Sequence, residues 1–284
     1  MIEQVIYKNH LNETIEFGKN SIFLNKSDLY DFSWAITSKN NRISALTKGV
    51  VKKTIPVVIK CMTVEDGIAL RNRLFEVCEK DVLALQHGRL IIGDYYLKCF
   101  ITGSKKTDYS THGCYMKATL TIQTDYPQWV HEKLISFRVN GTVVEEDEGE
   151  QGAGEKRNFD FNADFPFDYL SPLTNKTLNN TSFTDCNFKL VIYGAAKNPS
   201  VYIGGNNYQV SVDIEDGEYL IIDSISKTIQ KTTAGGEVVN CFNYRNRESY
   251  IFKKIPEGNN AVAWSGDFGF DVILFDERSE PKWT

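Results

Sequence analysis

The sequence lacks the features that mark membrane and secreted proteins. It contains no run of about 18 consecutive apolar residues, which a membrane-spanning helix requires. The first residues, MIEQVIYKNHLNE, do not place a charged segment before an apolar one, as a signal peptide does. We therefore expect a protein that is made in a cytoplasm and does not insert into a membrane.

Cysteine spacings of the zinc-binding type are also absent. None of the six cysteines forms a C-x-x-C pair or lies beside two histidines at zinc spacing. Cys61, Cys78 and Cys99 fall within apolar runs, where a free cysteine behaves as a small hydrophobic residue. We predict that all six cysteines are reduced and structural, and that the protein needs no metal and no cofactor.

An excess of positive charge is missing as well. The 284 residues include 32 basic and 37 acidic side chains, which gives a net charge of −5. A general nucleic-acid-binding protein needs a basic face that displaces counterions from phosphates. The composition therefore argues against nucleic-acid binding, while 42% hydrophobic residues are enough to form a core.

Catalytic motifs are incomplete where they occur. Asp267-Phe268-Gly269 matches the D-F-G by which protein kinases hold magnesium, but the sequence contains no H-R-D. His112 and Cys114 resemble a base and a thiol without the third group that would orient them. The segment that starts at Asp160 begins like a calcium loop but lacks its glycine and its final glutamate. We predict that the protein is not an enzyme.

Hydrophobic patterns predict one helix and many strands. The segment TVEDGIALRNRLFEVCEK predicts a helix over 63–80, because Thr63 and Asp66 form a capping box and apolar residues follow at helical spacing. The segment RLIIGDYYLKCFITG predicts a hairpin that turns at Gly93-Asp94. Period-two alternation predicts further strands in DFSWAI, in KATLTIQT and in the C-terminal FGFDVILFDE.

An acidic stretch separates two β-rich halves. Residues 145–156, EEDEGEQGAGEK, carry six acids, three glycines and no large apolar residue, and such a run stays solvated. The second half has turn signals at Gly204-Gly205, Asp216-Gly217 and Gly235-Gly236, which are typical of an antiparallel sandwich. We therefore predict two domains, residues 1–138 and 139–284.

Aromatic residues on the predicted strands have two interpretations. Trp264 and Tyr202 lie on strands or their rims, where an aromatic ring can stack on a sugar face. Aromatic residues also fill sandwich cores, because each buries a large apolar area. The acid pair Asp213 and Glu215 fits a glycosidase cleft and a solvated hairpin equally well. A glycan platform at Trp264 and Tyr202 therefore remains the alternative to core packing.

Longer segments of the sequence resemble a known family. The run from DFSWAI to ATLTIQTDYPQWV resembles the N-terminal domain of the distal tail proteins of siphophages that infect Gram-positive bacteria. The resemblance is closer in FPFDYL, LVIYGAAKNPSVYIGGNNYQV, DGEYLIIDSISKTI and RESYIFKKIPEGNNAVAWSGDFGFDVILFDERSEPKW. It covers nearly the whole chain apart from the acidic stretch.

This resemblance implies a fold and a role. Members of the family have an N-terminal β-sandwich or barrel-like domain with one helix and a hairpin arm, and a C-terminal antiparallel sandwich of galectin-like topology. They form a homohexameric ring that joins the tail tube protein to the tail-tip protein, a tail-associated lysin, and to receptor-binding or baseplate proteins. The resemblance thus implies a structural virion protein at the tail tip, made in the host cytoplasm. The alternative is a carbohydrate-binding module of a tail device that contacts cell-wall glycans.

A ring requires two different contact patches on each subunit. An exposed hairpin can supply one of them by adding its strands to the sheet of a neighbour. We expect these contacts in the hairpin of residues 90–101 or in the arm of residues 105–114. Core packing explains the two adjacent tyrosines of the first hairpin equally well. The residues concerned are Gly93, Asp94, Tyr95, Tyr96, Lys105 and Tyr109.

Overall fold

The computed structural model describes residues 4–18, 21–110, 113–139, 143–146 and 174–283. In these residues the chain is mainly β, with antiparallel strands and one long helix, α1 (Val64–Ala84), which confirms the predicted fold class. No helix in the described ranges is long and apolar enough to cross a membrane. The chain forms two compact units, which we call the N-terminal unit (residues 1–131 and 277–284) and the C-terminal unit (132–276).

The N-terminal unit is built on the long strand β8. One part of β8 pairs with β7 and β10, and its distal part pairs with β9. Strands β2 and β1 extend the sheet beyond β7, and β6 and β3 extend it beyond β9, whereas β4 and β5 pair only with each other. The strands are β1 (Val5–Lys8), β2 (Thr14–Phe17), β3 (Ile22–Leu24), β4 (Ala35–Lys39), β5 (Arg42–Thr47), β6 (Val51–Lys60), β7 (Gly88–Ile92), β8 (Tyr95–Tyr109), β9 (Tyr115–Thr124) and the first residues of β10 (Trp129–Phe137).

Helix α1 begins as the sequence predicted. The Thr63 hydroxyl accepts a hydrogen bond from the Asp66 amide at 3.1 Å, and donates to the Asp66 carboxylate at 2.6 Å. Leu74 and Val77 are buried on the inner face, with Cys78 beside them. The helix continues to Ala84, beyond the predicted end at residue 80, and Leu85 ends it in the left-handed conformation. The capping signal therefore identified the start of the helix, while nothing in the sequence marked its end.

A buried carboxylate connects α1 to the first strand. Asp81 is fully buried and accepts hydrogen bonds from the Tyr7 hydroxyl at 2.5 Å and from the His10 amide at 2.9 Å. The Nδ1 atom of His10 also lies 2.5 Å from Asp81. Burial raises the pKa of Tyr7, and the hydrogen bond to Asp81 raises it further. These contacts fix one face of α1 against the sheet and leave its opposite face outside.

The C-terminal unit is an antiparallel sandwich. One sheet has the order β10-β22-β13-β18-β19-β20, with β11 on the other edge of β10, and the second has the order β12-β21-β15-β16. Aromatic and aliphatic side chains of both sheets form one core. The strands are β11 (Val143–Glu146), β12 (Thr174–Asn180), β13 (Asn187–Tyr193), β14 (Ala196–Lys197), β15 (Ser200–Ile203), β16 (Asn206–Gln209), β17 (Asp213–Ile214), β18 (Tyr219–Asp223), β19 (Thr228–Thr232), β20 (Val238–Asn240), β21 (Gly258–Trp264) and β22 (Phe270–Arg278).

The limits of the two units differ from a single cut at residue 138. Strand β10 (Trp129–Phe137) runs through the change of unit between residues 131 and 132. The last residues belong to the N-terminal unit, where the Tyr126 hydroxyl donates to Glu277 and the Lys48 ammonium donates to Ser279 at 2.8 Å. The ring of Trp283 stacks on Tyr30 with centroids 4.2 Å apart. Contacts between residues so far apart in the sequence produce no pattern among neighbouring residues from which they could be predicted.

The acidic stretch is only partly within the described residues. Residues 145 and 146 belong to β11, which pairs with residues 134–137 of β10. Residues 147–156 lie outside the described ranges, as do His112 and the segment from Asp160 that begins like a calcium loop. The first two residues of the run are therefore paired in a strand, and the solvation of the run stays a prediction.

Candidate functional site

The first predicted contact, the β7–β8 hairpin, is largely part of the core. It turns at Gly93-Asp94 as predicted, with Ile92 opposite Tyr95 and both turn residues exposed. Tyr95 and Tyr96 are only 6% and 7% exposed. Strand β7 is paired on both sides, with β1 and β8, so it offers no free edge. Tyr95 and Tyr96 are therefore core residues, and the prediction of a contact surface at these two positions is wrong.

The second predicted contact, the arm formed by β8 and β9, is exposed. Residues 104–109 of β8 are all exposed, including Lys105 and Tyr109, whose ring is 65% exposed. The pairing of β8 with β9 shifts between Ile101 and Gly103 and again between Lys106 and Asp108. Register shifts of this kind increase the local twist of a strand pair. The arm thus presents Lys105 and Tyr109 to solvent, and its role in assembly stays a prediction.

The hairpin of β4 and β5 is an exposed surface that the sequence did not reveal. Every residue of both strands is exposed, and the turn residues Asn40 and Asn41 have φ values of 52° and 59°. Its apolar side chains are uncovered, with Ile36 at 64% and Ile43 at 65% exposed. The segment DFSWAI suggested a strand of the domain body, but β4 starts at residue 35 and neither face is buried. An isolated two-stranded hairpin is marginally stable in water, so this one is suited to a partner.

The base of this hairpin continues the exposed apolar surface. Phe32 and Trp34, immediately before β4, are 55% and 45% exposed. The Lys48 ammonium lies 4.6 Å from the centre of the Trp34 ring, a cation–π contact. Lys39 and Arg42 face each other next to the turn, and residues 35–47 include no acid. The hairpin surface is therefore apolar and basic.

The outer face of α1 also exposes apolar side chains. Ile68, Phe75 and Val82 recur every seven residues along one stripe and are 49%, 61% and 37% exposed. Glu76 and Glu79 lie on the same side of the helix, away from the buried Leu74, Val77 and Cys78. Apolar helix residues normally face a core, so an exposed stripe of them indicates an interaction surface.

A groove runs beside this helix stripe. Its volume is about 660 Å³, and α1, β8 and β9 form its walls. Phe75 and Val82 line it from the helix, and Ile101 and Tyr109 line it from β8. Tyr109 of the predicted arm thus belongs to the same surface as the helix stripe. The N-terminal unit therefore carries two different candidate contact surfaces, the hairpin β4–β5 and the groove between α1 and β8–β9.

The candidate glycan residues have different environments. Trp264 is fully buried, its Nε1 donates to the Phe268 carbonyl at 3.0 Å, and its ring meets Phe270 edge to face. It has no face available to a sugar, so the proposal of a platform at Trp264 is wrong. Tyr202 on β15 is 46% exposed, and its hydroxyl accepts a hydrogen bond from Asn207 at 3.2 Å.

The remaining chemical motifs have structural explanations. Phe268 of the D-F-G triplet is buried in the sandwich core, immediately before β22. None of the six cysteines, all within the described ranges, forms a disulfide, and burial raises the pKa of Cys78 to about 12. Within the described ranges, no three His, Cys, Asp or Glu side chains are grouped as a metal site would require.

Comparisons with known proteins identify the fold. No family model matches the sequence, and no curated protein matches it. A chain of the phage P2 baseplate in its activated conformation with calcium superposes with a TM-score of 0.62 at 13% identity, covering 99% of this chain and 100% of that one. The same baseplate with strontium gives 0.62 at 12% identity, with the same coverage. The Dit (gp 19.1) protein of SPP1, from the adsorption apparatus of phages that infect Gram-positive bacteria, gives 0.59 at 8% identity, covering 98% and 99%. The chain therefore shares, over nearly its whole length, the fold of phage baseplate and hub proteins.

Proposed function

We propose that this chain is a distal tail protein, the baseplate hub of a siphophage or prophage of Gram-positive bacteria. The observation that carries the proposal is the fold, which matches the SPP1 Dit protein and the P2 baseplate chain across both units. A likeness limited to one sandwich would have been weak evidence, because sandwich folds host many functions. The proposed role is structural, with no catalysis.

The proposed assembly is a homohexameric ring closed by one repeated contact. In such a ring each subunit uses two different surfaces, and the N-terminal unit has two. We propose that the hairpin β4–β5 of one subunit docks into the groove between α1 and β8–β9 of the next. Apolar side chains are exposed on both surfaces, including Ile36 and Ile43 of the hairpin and Phe75 and Val82 of the groove. A contact between two different surfaces can repeat around a ring, whereas hairpin against hairpin would close a dimer.

The proposed partners follow from the position of a hub in the tail. The ring would join the tail tube protein on one side to the tail-tip protein, a tail-associated lysin, on the other, and the C-terminal units would carry receptor-binding or baseplate proteins. The protein would be made in the cytoplasm of the bacterial host and then become part of the virion tail tip. The name of the SPP1 protein, which places it in a hub adsorption apparatus, supports this location.

The mass of the purified protein tests the proposal. Light scattering and negative-stain images should show particles of six chains with a central opening. The same particles should carry the tail tube protein when the two are co-expressed. A protein that stays monomeric at every soluble concentration, and that antibodies fail to locate at the tail tip of virions, would refute the assignment.

A carbohydrate-binding module is the second candidate function. Burial of Trp264 removes one of its two proposed residues, and Tyr202 remains exposed. A glycan array with the purified chain and its Tyr202→Ala variant separates the two functions. Saturable binding by a chain that never forms a ring would favour the module over the hub.

A further inference from the structure

A preformed groove in the C-terminal unit lies beside strand β16. The segment that follows β20 contains a 3-10 turn, Phe242–Tyr244, and then packs along β16. The Ser249 hydroxyl donates to the Asn207 carbonyl at 2.6 Å, and the Asn246 amide donates to the Gln209 carbonyl at 2.9 Å. Because hydrogen bonds at several points hold the segment, its side chains are positioned before any ligand arrives.

The groove has the size and lining of a ligand site. Its volume is about 510 Å³, within the range of roughly 300–1,000 Å³ that is common for small-molecule sites. The ring of Tyr250 is 60% exposed at its wall, whereas Phe252 beneath is buried at 4% exposed. An exposed aromatic wall over a buried apolar base is an arrangement on which a flat ligand face can pack.

Positive charge is concentrated in this groove, although the whole chain is acidic. Lys227, Arg245 and Arg247 line it, and Glu248 is the one acid among its lining residues. The Lys227 ammonium lies 5.6 Å from the centre of the Tyr250 ring, and the Arg245 guanidinium carbon lies 4.0 Å from that of Phe242. Both cations are therefore held over aromatic rings.

Arg247 has unused hydrogen-bonding capacity. Its side chain is exposed, and no hydrogen bond or ion pair joins it to another residue in the described ranges. The planar guanidinium group of an arginine can donate two parallel N–H hydrogen bonds to two oxygens of a phosphate or carboxylate group. Arg247 is thus placed to bind an anionic group of a ligand that also packs on Tyr250.

We propose that this groove binds an anionic saccharide, a sugar chain that bears phosphate or carboxylate groups. Tyr250 packs against an apolar sugar face, Arg247 and Lys227 bind the anionic group, and Glu248 provides polar atoms for hydroxyl groups. A neutral sugar would make no use of the three cations. The site is separate from the residues Trp264 and Tyr202, and its test does not depend on the ring.

Nucleic acid is the competing anionic polymer, and the groove is less suited to it. Affinity for a phosphate backbone comes from many charge contacts along a broad basic face, and this chain has a net charge of −5. The Glu248 carboxylate repels the phosphates of either polymer, but it can accept hydrogen bonds from the free hydroxyl groups of a saccharide, which the internal residues of an oligothymidylate lack. We therefore expect the groove to bind a charged saccharide more tightly than an oligonucleotide.

Binding of defined polymers to the full chain tests the proposal. The probes are a glycosylated poly(glycerol phosphate), polygalacturonate, neutral dextran and an oligothymidylate, measured by calorimetry at low salt. We expect saturable binding of at least one of the two charged sugar polymers and none of dextran. The tighter of the two charged polymers identifies the anionic group as phosphate or carboxylate.

Three variants and two matched controls locate the site. Arg247→Ala and Tyr250→Ala should each weaken binding about fivefold or more. Glu248→Gln should strengthen it about twofold, since it removes a like charge. The controls, Arg138→Ala and Tyr193→Ala, change exposed and partly exposed residues of the same unit outside the groove and should have no effect. Circular dichroism checks that each variant is folded.

The following results would overturn the proposal. They are failure of both charged sugar polymers to bind, binding that persists unchanged in Arg247→Ala and Tyr250→Ala, or binding of the oligothymidylate at least as tight as that of the sugars. Equal binding of dextran would show that charge is irrelevant and would overturn it as well.

Discussion

The two hairpins β7–β8 and β4–β5 of the N-terminal unit are alike in local structure and opposite in environment. Both turn through two residues, with positive φ at Gly93 in the first and at Asn40 and Asn41 in the second. Both carry apolar side chains on paired strands. Leu90 on β7 is fully buried, whereas Ile36 on β4 is 64% exposed.

This difference shows that the turn and the strand residues build a hairpin, while its neighbours decide what the hairpin does. The β7–β8 hairpin has strands on both sides and forms part of the core. The β4–β5 hairpin pairs with no other described strand. Large apolar side chains gathered on such an isolated ribbon are typical of an interaction surface. The first hairpin therefore supports the fold, and we assign the second to assembly.

The largest effect that distinguishes the hairpins is on stability. Leu90→Ala should lower the free energy of unfolding by about 3 kcal/mol, because it leaves a cavity in a packed core. Ile36→Ala should change it by less than about 0.5 kcal/mol, because this side chain is exposed. Urea denaturation at a concentration where the chain is monomeric measures both values. Equal losses for the two variants would contradict the assignment.

The two faces of α1 extend the comparison to the helix. Asp81→Asn should destabilise the protein by about 2 kcal/mol, since a buried carboxylate that accepts hydrogen bonds from Tyr7 and His10 loses its charge. Glu79→Gln on the outer face should have an effect below about 0.5 kcal/mol. Scanning calorimetry of the two variants compares them. A loss in Glu79→Gln as large as that in Asp81→Asn would show that the outer face is covered within the monomer.

The buried face of α1 also predicts a pH dependence. Burial raises the pKa of Cys78 from about 9 to about 12 in the folded state. Its stabilising contribution is therefore complete below pH 9 and is lost as the pH rises towards 12. Between these limits, the wild type should lose on the order of 4 kcal/mol more stability than Cys78→Ala, since one unit of pKa difference corresponds to about 1.4 kcal/mol. If the free energy of unfolding falls with pH in parallel for the two proteins, Cys78 ionises as readily in the folded state as in the unfolded state, and the prediction is wrong.

The sequence predicted the elements whose signals are local. The capping box at Thr63 and Asp66 marked the start of α1, and the glycine pairs marked the turns of the C-terminal sandwich. Alternation predicted β9 and β22 correctly. These signals depend only on neighbouring residues, so they are readable without the fold.

The sequence could not predict properties that depend on distant residues. Period-two alternation in DFSWAI looks the same whether or not another sheet covers the strand, so exposure of β4 was not foreseen. The burial of Trp264 depends on Phe137 and Phe270, which lie in other strands. The return of residues 277–284 to the N-terminal unit likewise depends on contacts with distant segments, such as that of Ser279 with Lys48. The exposure of the β4–β5 hairpin and of the outer face of α1 was therefore visible only once the fold was known.

The most direct test of the account is the assembly state of the double variant Ile36→Asp, Ile43→Asp. Its control is Val238→Asp, a substitution of a 58% exposed residue on β20 in the C-terminal unit. Light scattering should find six chains per particle for the wild type and the control, and single folded chains for the double variant. If the double variant forms the same particles as the wild type, the β4–β5 hairpin is not the assembly surface. If the wild type itself is monomeric, the proposed ring is wrong.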